Sequence, residues 1–208
     1  MGEGQSLLAL AVVKEALHEC SLPGCGVKLP FDQIREHEDM CQWRRVRCPG
    51  GSRCNRVVPF CQVLRHVEEC NSCISGQDSD GILKCRVAIS KRHINGSADK
   101  DGWKTFVLFF QGQVCFVRQI WRNCCFLCEV MMKGTKEECR GYVAKVSVVD
   151  AESRQAMLTT SSSPRSLDAE YEIGFCLCAP KQALSEVWKY EAARNVYFIY
   201  VRVDLNKL

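Results

Sequence analysis

From residue 82 to the C-terminus, short apolar runs alternate with polar turn segments. The runs are rich in β-branched and aromatic residues, and turn signals such as Asn95-Gly96-Ser97 separate them. This spacing is typical of an all-β antiparallel sandwich. The pattern predicts about eight strands, at 82–89, 103–110, 114–119, 125–132, 142–149, 156–160, 171–178 and 195–203.

Two segments outside the predicted strands are predicted to be helical. Leu184, Val187 and Trp188 recur at helical spacing, which predicts one short helix over residues 181–192. Residues 6–19 are predicted to form a short N-terminal helix within a leading segment, 1–19. Residues 74–81 are polar and rich in Gly, Ser and Asp, so we assign them to a linker before the β-domain at 82–208.

Between these segments, residues 20–73 carry cysteines and histidines at metal-ligand spacing. The pattern is C-x4-C-x11-H-x3-C, followed after six residues by C-x5-C-x11-H-x3-C. Each set offers three thiolates and one imidazole. The predicted ligand sets are Cys20, Cys25, His37 and Cys41, and Cys48, Cys54, His66 and Cys70.

The two sets belong to an internal repeat with a period of 29 residues. The pieces KLPFDQIREHEDMC and VVPFCQVLRHVEEC align from Lys28 and from Val57. Each repeat has a Pro-Phe step followed by a segment in which His and Cys are four residues apart, which suits chelation on one helix face. Cys61 falls opposite Asp32 and is predicted not to be a ligand, whereas Cys73, in C-x2-C spacing with Cys70, is an alternative one.

These donor sets point to zinc. Zinc binds four Cys and His ligands tetrahedrally, and a filled set leaves no position for water or substrate. We therefore predict a small zinc-stabilised double finger with two structural Zn²⁺ ions per chain. Since such units bury little apolar surface, the metal should supply most of their folding free energy.

Composition and charge limit the class of protein. Sixteen cysteines, of which six are predicted ligands, lack the spacing of a secreted disulfide framework and indicate a reducing compartment. The sequence contains no apolar run long enough to span a membrane. An arginine cluster makes nucleic-acid binding the alternative function. It comprises Arg44, Arg45, Arg47, Arg53, Arg56 and Arg65.

The double zinc pattern followed by a β-sandwich resembles the seven-in-absentia family of E3 ubiquitin ligases. Further similarity lies in Gly134-Thr135-Lys136, in Leu158-Thr159 leading to Pro164-Arg165-Ser166-Leu167-Asp168, and in Cys176-Leu177-Cys178. The resemblance covers about residues 7 to 206. It implies that the double finger is of the family's type and that the sandwich is TRAF-like and binds substrates.

The family resemblance implies a function in binding. Degron-like peptides or adaptor proteins would add a strand to a sheet edge for ubiquitin-dependent degradation. The groove would involve Val87, Ile89, Trp103 and Thr105. The family's RING domain has no counterpart among these 208 residues. The chain alone is therefore expected to be inactive, as an adaptor or as a competitor of full-length relatives, and an active ligase with a RING encoded upstream of Met1 is the alternative. We further expect a homodimer, or a heterodimer with relatives. The expected location is cytoplasmic and also nuclear.

Overall fold

The computed structural model describes residues 16–50, 54–70, 73–75, 82–90, 104–122, 124–150, 152–153, 155–167, 176–194 and 196–208. The chain divides into two compact units. One consists of Met1–Arg47 and Arg56–His66, and the other of Cys48–Asn55 and Val67–Leu208. Within the described ranges, no helix has both the length and the apolar character needed to cross a bilayer.

The internal repeat of the sequence is also a repeat of structure. In each copy a two-stranded antiparallel hairpin is followed by a helix that starts after a proline. In the first copy Leu17 pairs with Pro30, and in the second Arg45 pairs with Pro59. The elements are β1 (Leu17–Glu19), β2 (Lys28–Pro30) and α1 (Phe31–Met40), then β3 (Arg45–Arg47), β4 (Val57–Pro59), a 3₁₀ turn (Phe60–Gln62) and α2 (Val63–Cys70).

The remainder of the described chain is mostly β-structure with few short helices. The strands are β5 (Cys73–Ser75), β6 (Ile82–Ser90), β7 (Lys104–Phe110), β8 (Gln113–Arg122), β9 (Cys125–Met132), β10 (Tyr142–Val149), β11 (Ala156–Ser162), β12 (Arg165–Ser166), β13 (Leu177–Pro180), β14 (Lys189–Glu191) and β15 (Val196–Lys207). The short helices are α3 (Lys136–Arg140) and α4 (Lys181–Leu184), and a 3₁₀ turn spans Ala192–Arg194. Each predicted strand overlaps an observed one, although residues 103, 171–175 and 195 lie outside the described ranges.

The strands form two sheets. One has the order β11-β10-β15-β14, with β6 also paired to β15. The other has the order β12-β9-β8-β7-β5, with β13 also paired to β9. Most pairs are antiparallel, as predicted. Two are not, because β5 lies parallel to β7 and β12 lies parallel to β9.

Alternating side chains from both sheets form one hydrophobic core. On β6 the residues Leu83, Cys85, Val87 and Ile89 are all buried in it. β15 contributes every second residue between positions 199 and 205 to the same core. This period of two is the reason that the sequence pattern located β6 and β15. Burying apolar surface stabilises a fold by about 25 cal/mol per Å², so this core is the main stabilising feature of the unit.

Two of the sequence predictions about local structure are wrong. The helix predicted at 181–192 is a single turn, α4, and its second half is the strand β14, which pairs with β15 from Lys189 opposite Phe198. The N-terminal helix predicted for 6–19 is wrong at its C-terminal end, where Leu17–Glu19 forms the strand β1. Residues 6–15 lie outside the described ranges. In both places a strand partner overrides a weak helical pattern.

Two local features were missed. The segment predicted to be a linker, 74–81, begins inside β5, and residues 76–81 lie outside the described part. The helix α3 begins with a capping box, in which the Thr135 hydroxyl accepts from Glu138 N–H and the Glu138 carboxylate accepts from Thr135 N–H. The Thr-x-x-Glu spacing is typical of such a helix start, but no helix was predicted there, and Gly134-Thr135-Lys136 served only as a point of family similarity.

A buried acid lies on the outer face of the six-stranded sheet. The Glu129 side chain is 4% exposed, and its two carboxylate oxygens face Arg165 and Arg118, at 2.5 and 3.4 Å. Both arginine side chains retain about a fifth of their exposure to solvent. One carboxylate therefore joins β8, β9 and β12.

We expect Glu129→Gln to lower the free energy of unfolding by about 2–3 kcal/mol, because it leaves two partly buried guanidinium groups without their counter-charge. Glu137→Gln is the matched control. Its pair with Arg140 is exposed, and exposed pairs contribute about 0–1 kcal/mol. Urea unfolding of both variants measures the difference, and equal losses would contradict the structural role of Glu129.

Candidate metal centres

The first predicted ligand set comes together in the structure. The donor atoms of Cys20, Cys25, His37 and Cys41 all lie within 4.8 Å of one another. The Cys25 Sγ and His37 Nε2 atoms are 3.2 Å apart. In a tetrahedral zinc site, sulfur atoms at about 2.3 Å from the metal are about 3.8 Å from each other. The cluster therefore has the dimensions of a site that could hold one metal ion.

A hairpin and a helix hold these ligands. Cys20 and Cys25 lie in the loop between β1 and β2, where Cys20 N–H donates to Val27 O at 2.8 Å. His37 is in the last turn of α1, and Cys41 is the first residue after it, with extended backbone. The Ser21 N–H donates to the Glu38 carboxylate at 2.8 Å, which joins the loop to the helix.

Gly24 is required by the shape of this loop. Its φ is +97°, and a Cβ atom at this position would lie 2.8 Å from the indole ring of Trp43. Gly26 also has a positive φ, of +67°, but a Cβ there would meet no atom within 4 Å. Both positions favour glycine by backbone conformation, and only Gly24 is also limited by a neighbouring side chain.

Backbone N–H groups point at the ligand sulfurs. In both clusters the donor is two residues after the cysteine: Trp43 N–H to Cys41 Sγ at 3.4 Å, and Gly50 N–H to Cys48 Sγ at 3.4 Å. The Val27 N–H does the same for Cys25 and is the main reason that the pKa of this thiol is lowered to about 7. Such hydrogen bonds stabilise the thiolate, which is the form that binds metal.

Burial and neighbouring thiols raise the pKa of Cys20, whereas the pKa of Cys25 is lowered. Burial is the main cause that raises the pKa of Cys20 to about 11, and the neighbouring thiols of Cys25 and Cys41 add to the increase. Several thiolates in one small core repel each other, and a divalent cation replaces that repulsion by attraction. The donor set and its electrostatics thus fit a bound cation.

The second predicted set is also assembled. The donor atoms of Cys48, Cys54, His66 and Cys70 lie within 4.8 Å of one another, with the sulfur atoms of Cys48 and Cys70 4.0 Å apart. Here both helical ligands are inside α2, at i and i+4. Each cluster consists of three thiols and one imidazole, with no carboxylate.

Thr105 is not an exposed groove residue. Its side chain is 1% exposed, and its hydroxyl donates to the Pro49 carbonyl at 2.9 Å. Pro49 directly follows the ligand Cys48, so this hydrogen bond joins the second cluster to β7. The edge of β7 at this point is covered by β5, which pairs with Thr105–Val107.

The other predicted groove residues lie on β6 or outside the described residues. Val87 and Ile89 are 5% and 3% exposed and face the core, so their side chains line no open groove. Trp103 lies outside the described part of the chain. β6 pairs on one side with β15, and no described strand pairs with its other side.

Two further cysteines were considered as ligands of the second cluster. Cys61 is half-buried and belongs to neither cluster, as predicted, and the Cys73 side chain is outside the described part.

Arg44, one of the predicted basic cluster, is 8% exposed. It donates to the Met40 and Cys41 carbonyls and lies 3.6 Å above the Phe60 ring. This arginine therefore holds the helix end in place.

Comparisons with known proteins do not assign the chain to a family. No model of a known protein family matches its sequence, and a search of curated proteins finds no match.

We expect two metal ions per chain by elemental analysis of reduced protein, and one after either Cys41→Ser or Cys70→Ser. The two variants should differ in stability. Cys70 belongs to the unit that contains the β-sheets, so Cys70→Ser should lower the urea midpoint of that unit, whereas Cys41→Ser should leave it nearly unchanged. Near-ultraviolet circular dichroism follows the unfolding of the β-unit. Equal effects of the two variants on its urea midpoint would contradict the coupling of the second cluster to this unit.

Gly24→Ala should accelerate metal loss to a chelator by at least about tenfold, because it adds a clash with Trp43 to the backbone strain of about 1–2 kcal/mol. Gly26→Ala carries the strain alone and should show the smaller effect. The rate of zinc transfer to a coloured chelator measures both variants. A larger effect at Gly26 would show that Trp43 does not restrict the loop.

Proposed function

We propose that this chain is a metal-stabilised peptide-recognition module, the substrate-binding part of a seven-in-absentia-type E3 ubiquitin ligase. The main support is that no described strand pairs with the side of β6 away from β15, where backbone donors and acceptors could pair with an added strand. The two-sheet core agrees with the TRAF-like sandwich that the sequence resemblance implies. Substrate or adaptor proteins would bind as extended segments.

The recognition would involve the backbone of β6 and its outward side chains. Val87 and Ile89 keep the strand seated on the core, while Lys84, Arg86 and Ala88 alternate with them on the other face. Lys84 and Arg86 are exposed, and they would lie beside every second side chain of the added peptide. Arg86 already forms an ion pair with Glu191 at 3.7 Å and stacks on Phe198 at 4.0 Å.

Zinc is the proposed metal for both clusters. Cys₃His donor sets are typical of structural zinc sites, and four protein ligands leave no position for substrate. The surplus of free thiols supports a reducing compartment, the cytoplasm and also the nucleus. The metal would therefore stabilise the fold and take no part in a reaction.

The proposed dimer would use the outward face of β15, where Phe198, Tyr200 and Arg202 alternate with the core residues. Phe198 is 5% exposed because Arg86 covers it within the same chain. Tyr200 and Arg202 are half-buried on that face, and Arg202 is paired with Asp204 at 2.8 Å. A two-fold partner, whether a second copy or a relative, would contact these residues.

Nucleic-acid binding stays the second candidate because four arginines of the basic cluster are exposed. Arg45 and Arg47 project from the same face of β3, and Arg56 and Arg65 are also exposed. Arg53 lies outside the described residues. Phosphate contacts would make binding fall steeply with salt concentration, whereas peptide binding by strand addition would depend on salt only weakly.

A peptide selected from a random library against the full chain should bind along β6. Amides of β6 that point away from β15 should exchange hydrogen more slowly in the complex. Amides of β10, which is paired on both sides, should exchange at an unchanged rate. N-methylation of every second peptide residue should weaken binding by about tenfold, since each removes a main-chain donor. Protection confined to β3, or none at β6, would contradict the proposal.

A further inference from the structure

Two positive charges lie next to each other on the outer face of β6, the face turned away from the core. Lys84 and Arg86 are both exposed, and they alternate with the buried residues Leu83, Cys85 and Val87. Residues two apart along a strand are about 6.5 Å from each other. A strand added beside β6 would carry its own side chains on the same face at the same interval, so two of them would lie beside Lys84 and Arg86.

The inner face of β6 offers a bound peptide few contacts by which its side chains could be distinguished. Leu83, Val87 and Ile89 are at most 5% exposed, so nearly their whole surface is already covered by the core. Backbone hydrogen bonds along β6 would be the same for every peptide sequence without proline. Selection among sequences therefore depends mainly on the outer face, where the charges lie.

The neighbouring strand β15 does not neutralise Lys84. In the β6–β15 register Lys84 lies opposite Arg202, and like charges directly opposite each other are unfavourable. The acid two residues further along β15, Asp204, pairs with Arg202 at 2.8 Å. Among the residues that the structure describes, no carboxylate forms an ion pair with Lys84. A carboxylate from a bound peptide would supply this counter-charge.

Arg86 is held in position with part of its guanidinium open to a ligand. The guanidinium lies over the Phe198 ring, 4.0 Å from the ring centre, and it pairs with Glu191 at 3.7 Å. The Arg86 side chain is still 44% exposed. A guanidinium has five N–H donors, so one carboxylate at this distance leaves others for a second acid. Stacking on the ring also fixes the guanidinium plane, which reduces the conformational entropy lost on binding.

We propose that β6 selects extended peptides with acidic residues at two alternate positions, one carboxylate lying beside Lys84 and the other beside Arg86. This inference rests on the proposed function, because it takes strand addition at β6 as given. Main-chain hydrogen bonds would supply affinity, and the two ion pairs would discriminate between sequences. Since both pairs would be exposed, each should contribute about two- to threefold in affinity. Two such pairs weaken only modestly as salt rises, unlike a row of phosphate contacts.

A library of random ten-residue peptides displayed on phage tests the selectivity when it is selected against the full, reduced chain. The selected pool should be enriched in Asp and Glu at two positions separated by one residue. In a synthetic peptide from this pool, replacing both acids by the neutral amides should weaken binding by about fivefold, and replacing both by lysine should weaken it further. Fluorescence anisotropy measures the affinities, and hydrogen exchange of β6 reports where each peptide binds.

Charge reversal on the protein separates this contact from general attraction. Lys84→Glu should abolish or reverse the preference for an acid at one of the two peptide positions. The matched control is Lys145→Glu, which makes the same charge change at an exposed lysine on β10, a strand of the same sheet that is paired on both sides. This control should keep the preference for acids at both positions.

The outcomes distinguish the selectivity from strand addition itself. If selected peptides slow exchange at β6 but show no preference for acids, the charge selectivity is wrong and strand addition stands. If Lys145→Glu changes the preference as much as Lys84→Glu does, net charge explains the binding and the assigned contact is wrong. Selection of no peptide that slows exchange at β6 would overturn both this inference and the proposed function.

Discussion

Convergence of three thiols and one imidazole is the constraint on which the N-terminal half depends. Around the first cluster the buried apolar residues are Cys20, Ile34 and Cys41, with four partly buried residues packed against them. So small a core cannot offset the conformational entropy of the residues that it orders. Two of its three buried residues, Cys20 and Cys41, belong to the cluster that could hold a metal ion. Metal binding at this cluster would therefore be coupled to folding of the unit.

The β-unit rests on a different principle. β15 lies in the middle of its sheet, paired with β6 along one side and with β10 and β14 along the other. Its inward residues join the core, so its twelve residues connect most of that sheet. The second cluster enters this unit through Cys48 and through the hydrogen bond from Thr105 to Pro49. The second cluster and the hydrophobic core are therefore joined at the edge of β7.

Sequence reasoning succeeded where one physical period governs the structure. Both Cys₃His clusters that could hold a metal ion were predicted, because tetrahedral coordination restricts the spacing of such ligands, and β9 and β10 were placed to the residue because alternate side chains face one core. Sequence reasoning failed where pairing with a segment far away in the sequence decides the local structure. Lys189–Glu191 has a helical pattern, but pairing with β15 makes it a strand. Nor does any local pattern indicate that the hydroxyl of Thr105, a residue assigned to a peptide groove from the family resemblance, donates to the Pro49 carbonyl.

The surroundings of the cysteines differ within this chain, and they decide what each thiol can do. Cys41 and Cys48 accept hydrogen bonds from backbone N–H groups and belong to the two clusters that could hold a metal ion. Cys115 is fully buried, and burial raises its pKa to about 12, so it remains a neutral thiol that packs like a small apolar side chain. Cys124 and Cys178 are exposed and lie outside both clusters, so neither burial nor a four-ligand set constrains these two thiols.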